Sequence, residues 1–120
     1  MSETKFEDIG LSPELVQAVS DMNYTQATGI QAQAIPLLMQ GADVIGRSST
    51  GTGKTAAFGI PAVERIESGL KAPQVLVLSP TRELAMQIAG EIRKFAKYKP
   101  GVCVAAVYGG APMDAQIRAL

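Results

Sequence analysis

Residues 44–55 decide the predicted fold, and they read Val44-Ile45-Gly46-Arg47-Ser48-Ser49-Thr50-Gly51-Thr52-Gly53-Lys54-Thr55. A short apolar strand leads into a loop of small residues, which ends in Gly-Lys-Thr where a helical pattern begins. Backbone N–H groups of such a loop and of the helix N-terminus converge on one point, and small residues let the chain wrap closely around an anion. The pattern predicts a phosphate-binding loop in which Lys54 reaches the β- and γ-phosphates of a nucleotide and the Thr55 hydroxyl binds Mg²⁺.

An ordinary Gly-rich turn with a solvated Lys54 is the alternative for this stretch. The strand before the loop and the helix after it lie where the phosphate motif requires them, so phosphate binding is favoured. The strict motif begins with Gly, whereas this chain has Ser48. If that position needs a positive φ, a side chain there costs about 1 kcal/mol. The loop is then either a variant that accepts a small side chain or a weakened site.

The composition is that of a soluble globular protein with at most one domain: 120 residues, 47% hydrophobic and 18% charged. Eleven basic and eleven acidic residues leave no formal net charge, so any binding to nucleic acid must be local. No apolar run is long enough to span a bilayer, and residues 1–8 are polar and acidic rather than a signal sequence. We therefore expect a cytoplasmic protein that has no membrane partner.

Cys103 is the single cysteine, and the chain has no histidine. An internal disulfide and imidazole-based catalysis are therefore excluded, and a cysteine-based metal site is disfavoured. Cys103 lies in the apolar run 102–107, where we expect a buried thiol that acts as a small hydrophobe.

Helical and strand patterns alternate along the chain. The first helix is expected to begin at Pro13 after a Ser12 N-cap and to close at Met22. The second is expected over 30–40 after a Thr28 cap, with a kink or a break at Pro36. The remaining predicted elements are helices at 54–67 and 82–97 and strands at 43–46, 75–78 and 102–108. This order indicates an α/β fold with parallel strands and right-handed crossovers.

The last predicted helix has an apolar stripe and a basic end. Its core-facing residues are expected to be Leu84, Ile88, Ile92 and Phe95. Its three C-terminal lysines are expected to be solvated and to complement the helix dipole; they are Lys94, Lys97 and Lys99.

Two further loops follow predicted strands, at the edge of the sheet where ligands gather. The loop 79–83 offers helix N–H groups, the Thr81 hydroxyl and the Arg82 guanidinium to a second phosphate. The pair Gly109-Gly110 allows a nucleic-acid strand to approach the backbone closely. Taken singly, each loop is better explained by ordinary capping and turn chemistry, but together on one edge they favour function.

As a set, these residues resemble the DEAD-box family of ATP-dependent RNA helicases. The segment 80–85, Pro-Thr-Arg-Glu-Leu-Ala, matches the family's motif Ia in full, and 108–110 is similar to its GG motif. The segment 48–55 matches motif I except that Ser48 and Ser49 replace the usual Ala and Gln. The segment 23–31 is similar to the Q motif, with Asn23 in place of Gly and Gly29 in place of Pro, and Phe6 lies upstream at the family's distance.

The resemblance implies the N-terminal part of a RecA-like P-loop NTPase domain, a parallel sheet with flanking helices, over residues 1–120. The Q motif region would cover 1–41, and motifs I, Ia and GG would lie in 42–120. In such sheets the strands that carry the family's Asp-Glu-Ala-Asp and Ser-Ala-Thr motifs lie between the phosphate-loop strand and the motif Ia strand. We therefore expect an incomplete sheet with bare edges, in a chain that rearranges, associates with another copy or is only partly ordered.

The resemblance also implies ligands and site residues. Nucleotide binding, with ATP and Mg²⁺, would fall to Phe6, Tyr24, Thr28, Gln31, Ser49, Thr50, Gly51, Thr52, Gly53, Lys54 and Thr55. Gln31 would read the adenine edge and Phe6 would stack on the base, while Lys54 and Thr55 would serve catalysis and Thr55 the metal. The backbone of single-stranded or duplex RNA would be contacted, independently of sequence, by Pro80, Thr81, Arg82, Gly109 and Gly110.

Hydrolysis of ATP also needs a carboxylate at the end of an apolar strand. None of the chain's aspartates lies in such a setting; they are Asp8, Asp21, Asp43 and Asp114. We therefore expect these residues alone neither to hydrolyse ATP nor to unwind RNA. A non-catalytic self-associating piece and a different P-loop ATPase are the alternatives, and the complete motif Ia with Gln31 argues against the latter.

Overall fold

The computed structural model describes residues 5–47 and 53–109. A 3₁₀ turn at Phe6–Asp8 precedes four helices, which are α1 (Pro13–Asp21), α2 (Gly29–Met39), α3 (Lys54–Arg65) and α4 (Arg82–Phe95). Helices α3 and α4 end two residues earlier than predicted. The order of the helices is as expected.

The ends of α1 are set by local chemistry. The Ser12 hydroxyl accepts a hydrogen bond from the Leu15 N–H at 3.4 Å, and Pro13 occupies the first helical position, so the predicted start is confirmed. Met22 is the C-cap. Asn23 then adopts the left-handed conformation with φ of 63° and turns the chain away from the helix. Asn is among the few residues that tolerate this conformation, which explains how it can replace the Gly usual in the family.

Helix α2 begins with a capping box. Thr28 is the N-cap as predicted, and the Gln31 side chain accepts from the Thr28 N–H at 3.0 Å. Pro36 lies inside a single assigned helix, so the predicted division into two pieces is not observed. Pro36 has no N–H and cannot make its backbone hydrogen bond within the helix. Only two of the eleven residues of α2 are polar, and the helix packs against α3. Burial of apolar surface in this packing compensates for the lost hydrogen bond.

Helix α3 lies between α2 and α4, and the hydrophobic core forms around it. Gly59 lets α4 approach closely, because a Cβ atom at this position would lie 3.2 Å from the Phe95 Cε2 atom. Leu84, predicted on the core face of α4, is instead 37% exposed, since the first turn of α4 extends past the core. The buried core residues are Phe6, Leu15, Val19, Ile35, Ala56, Ile60, Val63, Ile88, Ile92 and Phe95.

The C-terminal end of α3 is tied to its neighbours by charged side chains. The Lys99 ammonium donates to the carbonyl oxygens of Val63 at 2.7 Å and Glu64 at 3.0 Å, where the helix dipole favours a cation. The Glu64 carboxylate accepts from the Ser12 N–H at 2.5 Å and so joins α1 to α3. Lys99 is therefore not the solvated residue that was predicted.

The predicted sheet is not observed in the described part of the chain. Residues 43–46, 75–78 and 102–108 are not assigned as strands, and the one β-bridge among the described residues is an isolated antiparallel pair, Lys5 with Gln26. Without neighbouring strands, apolar side chains stay uncovered: Ile45 is 92% exposed, Leu76 83% and Leu78 85%.

Cys103 is exposed, so the prediction of a buried thiol was wrong. The segment 102–108 touches the core along one side only. Val104 packs against the core cluster, and its carbonyl accepts from the Arg93 guanidinium at 3.0 Å. Because side chains of an extended chain alternate in direction, Cys103 faces away from that contact.

Candidate functional site

The Gln31 side chain joins the loop before α2 to the start of α3. It is 3% exposed, its Oε1 atom accepts from the Thr28 N–H at 3.0 Å, and its Nε2 atom donates to the Gly53 carbonyl at 3.2 Å. A side-chain amide has one further N–H and one further acceptor position. Residues 23–28, between α1 and α2, are predicted to contact the base and are called the base-reading loop. Gln31 therefore connects this loop to the predicted phosphate site. Its amide keeps hydrogen-bonding capacity for a ligand.

Gly53 is the N-cap of α3, and only Gly fits there. Its φ is 87°, and an added Cβ atom would lie 2.9 Å from the Thr28 Oγ1 atom and 3.0 Å from the Gln31 Nε2 atom. Lys54 and Thr55 follow as the first residues of the helix and are half-buried. The leading N–H groups of a helix have no partner within it, so this end can receive an anion.

Part of the predicted phosphate site lies outside the described residues. These residues are Ser49, Thr50, Gly51 and Thr52. The described part of the site is thus Gly53, Lys54 and Thr55 at the start of α3, together with Thr28 and Gln31.

Phe6 and Tyr24, both predicted at the base, are in contact. Their rings are stacked with centroids 6.3 Å apart and an interplanar angle of 20°. The bridge between Lys5 and Gln26 holds the two segments together. A cavity of about 280 Å³ is lined by Phe6 and Tyr24, and Gln31 is not among its lining residues.

Phe6 is buried more deeply than base stacking would suggest. Its side chain is 2% exposed and belongs to the hydrophobic core. Tyr24 is half-buried beside it. A base could reach the Phe6 ring only through the cavity that these two residues line.

The predicted RNA-contacting residues lie on the surface at the start of α4 and at the end of the described chain. Thr81 is the N-cap, and its hydroxyl accepts from the Leu84 N–H at 3.2 Å. Arg82 pairs with Glu83 at 3.3 Å, while 57% of its side chain remains exposed. Pro80 and Gly109 are exposed, and Gly110 lies outside the described residues.

Two site features were not predicted from the sequence. The bond from Gln31 to Gly53 joins residues far apart in the chain and has no local signal. The left-handed conformation of Asn23 does have a local sequence signal, because Asn stands at a loop position where the DEAD-box family usually has Gly.

A family comparison identifies the chain. The DEAD/DEAH box helicase family matches residues 28–120. The chain belongs to this family.

Relatives and solved structures agree with this assignment. This chain is 49% identical over 118 residues to the ATP-dependent RNA helicase DeaD of Escherichia coli (strain K12), and the match covers 98% of this chain and 19% of the relative. It resembles a DEAD box protein from the hyperthermophile Methanococcus jannaschii with a TM-score of 0.91 and 34% identity, over 99% of this chain and 33% of that one.

A third similar protein was solved with ligands. S. cerevisiae Dbp5, bound to RNA and ADP BeF3, matches with a TM-score of 0.77 and 34% identity, over 81% of this chain and 25% of that one. The chain spans about a fifth of the length of the curated relatives it matches. Its structural neighbours are DEAD-box proteins, although the sheet is not formed by residues 5–47 and 53–109.

None of the helices within residues 5–47 and 53–109 has the length and apolar composition needed to cross a membrane.

Proposed function

We propose that this chain carries the nucleotide half-site of an ATP-dependent RNA helicase. The observation that carries the proposal is the buried Gln31 amide, bonded to Thr28 on one side and to Gly53 on the other. This bond joins the start of α2 to the start of α3, and it supports a site in which the first would read the base and the second would bind phosphate. The DeaD relative, described as an ATP-dependent RNA helicase, supports the same function. Residues 1–41 would form the Q motif region, and 42–120 would carry motifs I, Ia and GG.

The start of α3 fits a magnesium nucleotide. Gly53 lets the Thr28 and Gln31 side chains lie against the start of the helix, and Thr55 places a hydroxyl in the first turn, an oxygen ligand of the kind Mg²⁺ accepts. Lys54 would pair with the β- and γ-phosphates, and Mg²⁺ would neutralise phosphate charge. The loop residues before Gly53 would add backbone N–H groups; they are Ser49, Thr50, Gly51 and Thr52.

The base would be read by the loop that ends at α2. Beyond its bonds to Thr28 and Gly53 among the described residues, the Gln31 amide has one further N–H and one further acceptor position, a pair that matches the donor and acceptor of an adenine edge. Thr28 fixes the backbone next to it through the capping box. Phe6 and Tyr24 would contact the base from the cavity that they line.

RNA would be held by its backbone at the start of α4 and at the glycine pair. Arg82 supplies an exposed guanidinium beside the helix N-terminus at Pro80 and Thr81. Gly109 has open space around it, which allows close approach, and Gly110 would do the same. Such contacts reach no base edge and are therefore independent of sequence.

The 120 residues alone would bind ATP without hydrolysing it. No aspartate in the sequence follows an apolar strand, so the carboxylate that positions Mg²⁺ and water is lacking from these residues. ATP turnover that rises with protein concentration and disappears in Lys54→Ala would overturn this proposal.

Calorimetric titration tests the proposed function. Mg·ATP and Mg·GTP would be titrated into the wild type, Lys54→Ala and Gln31→Ala. Gln33→Ala is the matched control for the amide because Gln33 is an exposed glutamine on the same helix. We expect ATP to be preferred, the preference to be lost in Gln31→Ala only, and binding to be lost in Lys54→Ala. Absence of nucleotide binding by the wild type would contradict the proposal.

Self-association is a second candidate function, and the uncovered apolar segments favour it. Leu76 and Leu78 are more than four-fifths exposed in the segment 75–78, which makes no β-ladder. Such a segment offers both apolar side chains and backbone groups to a second copy. A concentration-independent monomer in sedimentation would refute this candidate.

A further inference from the structure

The last residue of α1 is held by the far end of α4. The Asp21 carboxylate accepts from the Lys97 ammonium at 3.1 Å and from the Tyr98 hydroxyl, through its Oδ2 atom. Its Oδ1 atom accepts from the Gln17 amide at 2.9 Å. We name the group of Asp21, Lys97 and Tyr98 the clasp. It ties together residues that lie more than seventy positions apart in the chain.

The clasp lies where the base-reading loop leaves α1. Met22 caps the helix, Asn23 turns with φ of 63°, and the Tyr24 N–H donates to the Val19 carbonyl at 2.9 Å. The path from Asp21 to Tyr24 is therefore short and tightly bonded. We therefore expect a movement of Asp21 to displace the Tyr24 backbone.

Tyr24 lines two cavities, and two residues of the clasp, Asp21 and Lys97, line the second. The first cavity is the one beside Phe6. The second has a volume of about 420 Å³ and is lined by Ala18, Asp21, Met22, Tyr24, Lys94 and Lys97. The Tyr24 ring thus stacks on Phe6 and faces a cavity that it shares with Asp21 and Lys97.

The clasp is held in one arrangement by more than the ion pair. The Lys97 ammonium lies 5.2 Å from the centre of the Tyr98 ring, a cation–π contact that orients both donors toward Asp21. Hydrogen bonds from Tyr98, Gln17 and Lys97 lower the pKa of Asp21, so the carboxylate is ionised and accepts all three. The Asp21 side chain is 30% exposed, less than that of Lys97 at 59%.

We propose that Asp21 is a positioning residue for nucleotide binding, which fixes Tyr24 and the base-reading loop by anchoring the end of α1 to α4. This inference rests on the proposed function, since the loop matters only if it closes on a base. The same anchor joins the loop to the helix whose first residues, Thr81 and Arg82, are proposed to contact RNA.

The experiment combines amide hydrogen exchange at Tyr24 with titration of Mg·ADP and of Mg·tripolyphosphate, which engages the phosphate site without a base. Asp21→Asn and Tyr98→Phe weaken the clasp, whereas Lys94→Gln removes a charge from the same cavity and leaves the clasp intact. We expect faster exchange at Tyr24 and a Kd for ADP raised about three- to tenfold in the clasp variants only. Tripolyphosphate affinity should stay unchanged, and Asp21→Glu should restore part of the ADP affinity.

The outcomes separate the two proposals. If the wild type binds ADP and the clasp variants show unchanged exchange and affinity, the role of Asp21 is refuted and the proposed function stands. An equal loss of affinity for ADP and tripolyphosphate also refutes it, because general destabilisation would weaken both. If the wild type binds neither ligand, the proposed function fails, and the inference fails with it.

Discussion

Replacing Gly53 by Ala should destabilise the chain more than the same change at Gly41. Both glycines have φ of 87°, so both variants bear the cost of placing a side chain in the left-handed region. They differ in surroundings: a Cβ atom at Gly41 meets nothing within 4 Å, whereas one at Gly53 lies 2.9 Å from Thr28 Oγ1 and 3.0 Å from Gln31 Nε2. Gly41→Ala is therefore a matched control that isolates the steric effect.

The expected magnitudes follow from these contacts. The left-handed conformation costs a non-Gly residue about 1–2 kcal/mol, which is the full effect expected for Gly41→Ala. At Gly53 the buried Gln31 amide must also shift and lose its bond to the Gly53 carbonyl, and a buried donor left without a partner costs about 1–3 kcal/mol. We therefore expect Gly53→Ala to lower the free energy of unfolding by about 2–5 kcal/mol.

Urea-induced unfolding, followed by far-UV circular dichroism, measures both variants. The assignment to Gln31 is checked in a Gln31→Ala background, where the difference between the two glycine variants should shrink because the amide is no longer there to be displaced. Equal destabilisation by Gly53→Ala and Gly41→Ala in the wild-type background would refute the reasoning, since it would mean that Thr28 and Gln31 yield without cost.

Further variants test other parts of the structure. Asn23→Val should lower the free energy of unfolding by about 1–2 kcal/mol in urea, because a β-branched residue fits the left-handed conformation poorly, whereas Asn23→Gly should not lower it. Asp21→Asn should lower the urea midpoint at pH 7, and the difference from wild type should vanish as the pH falls below 3.8. The pKa of Asp21 is lowered from 3.8 in the folded chain, so its contribution is present above that value and is lost as pH falls through the folded pKa. Leu76→Lys and Leu78→Lys should shift sedimentation toward the monomer, because like charges would meet when two copies pair there; an unchanged mass distribution would count against pairing through this segment.

Local features of this chain were predictable from the sequence, and the reason is physical. Ser12 and Thr28 cap helices because their hydroxyl groups bond to N–H groups only a few residues away. Short sequence patterns therefore predict such hydrogen bonds. The same holds for Thr81 at the start of α4, whose hydroxyl accepts from the third residue after it.

Features that depend on distant neighbours were not predictable in the same way. Cys103 was expected to be buried because its segment is apolar, but burial needs a covering strand, and the described residues supply none. The burial of Phe6 in the core was not predicted, because it depends on the packing of the 3₁₀ turn against α1; its contact with a base stays a prediction. The bond from Gln31 to Gly53 likewise exists only because α2 and α3 pack together.

Lys94 and Lys99, near the end of α4, differ in how accessible their amines are to a chemical reagent. The Lys99 amine has two of its hydrogens engaged by the Val63 and Glu64 carbonyls and is half-buried, whereas Lys94 is exposed. An acylating reagent must reach the amine, and the two carbonyl contacts and the partial burial obstruct that approach at Lys99. Acylation should therefore reach Lys94 early and Lys99 only when α3 and α4 separate. The relative labelling of the two side chains, read by mass spectrometry, would report how often that junction opens.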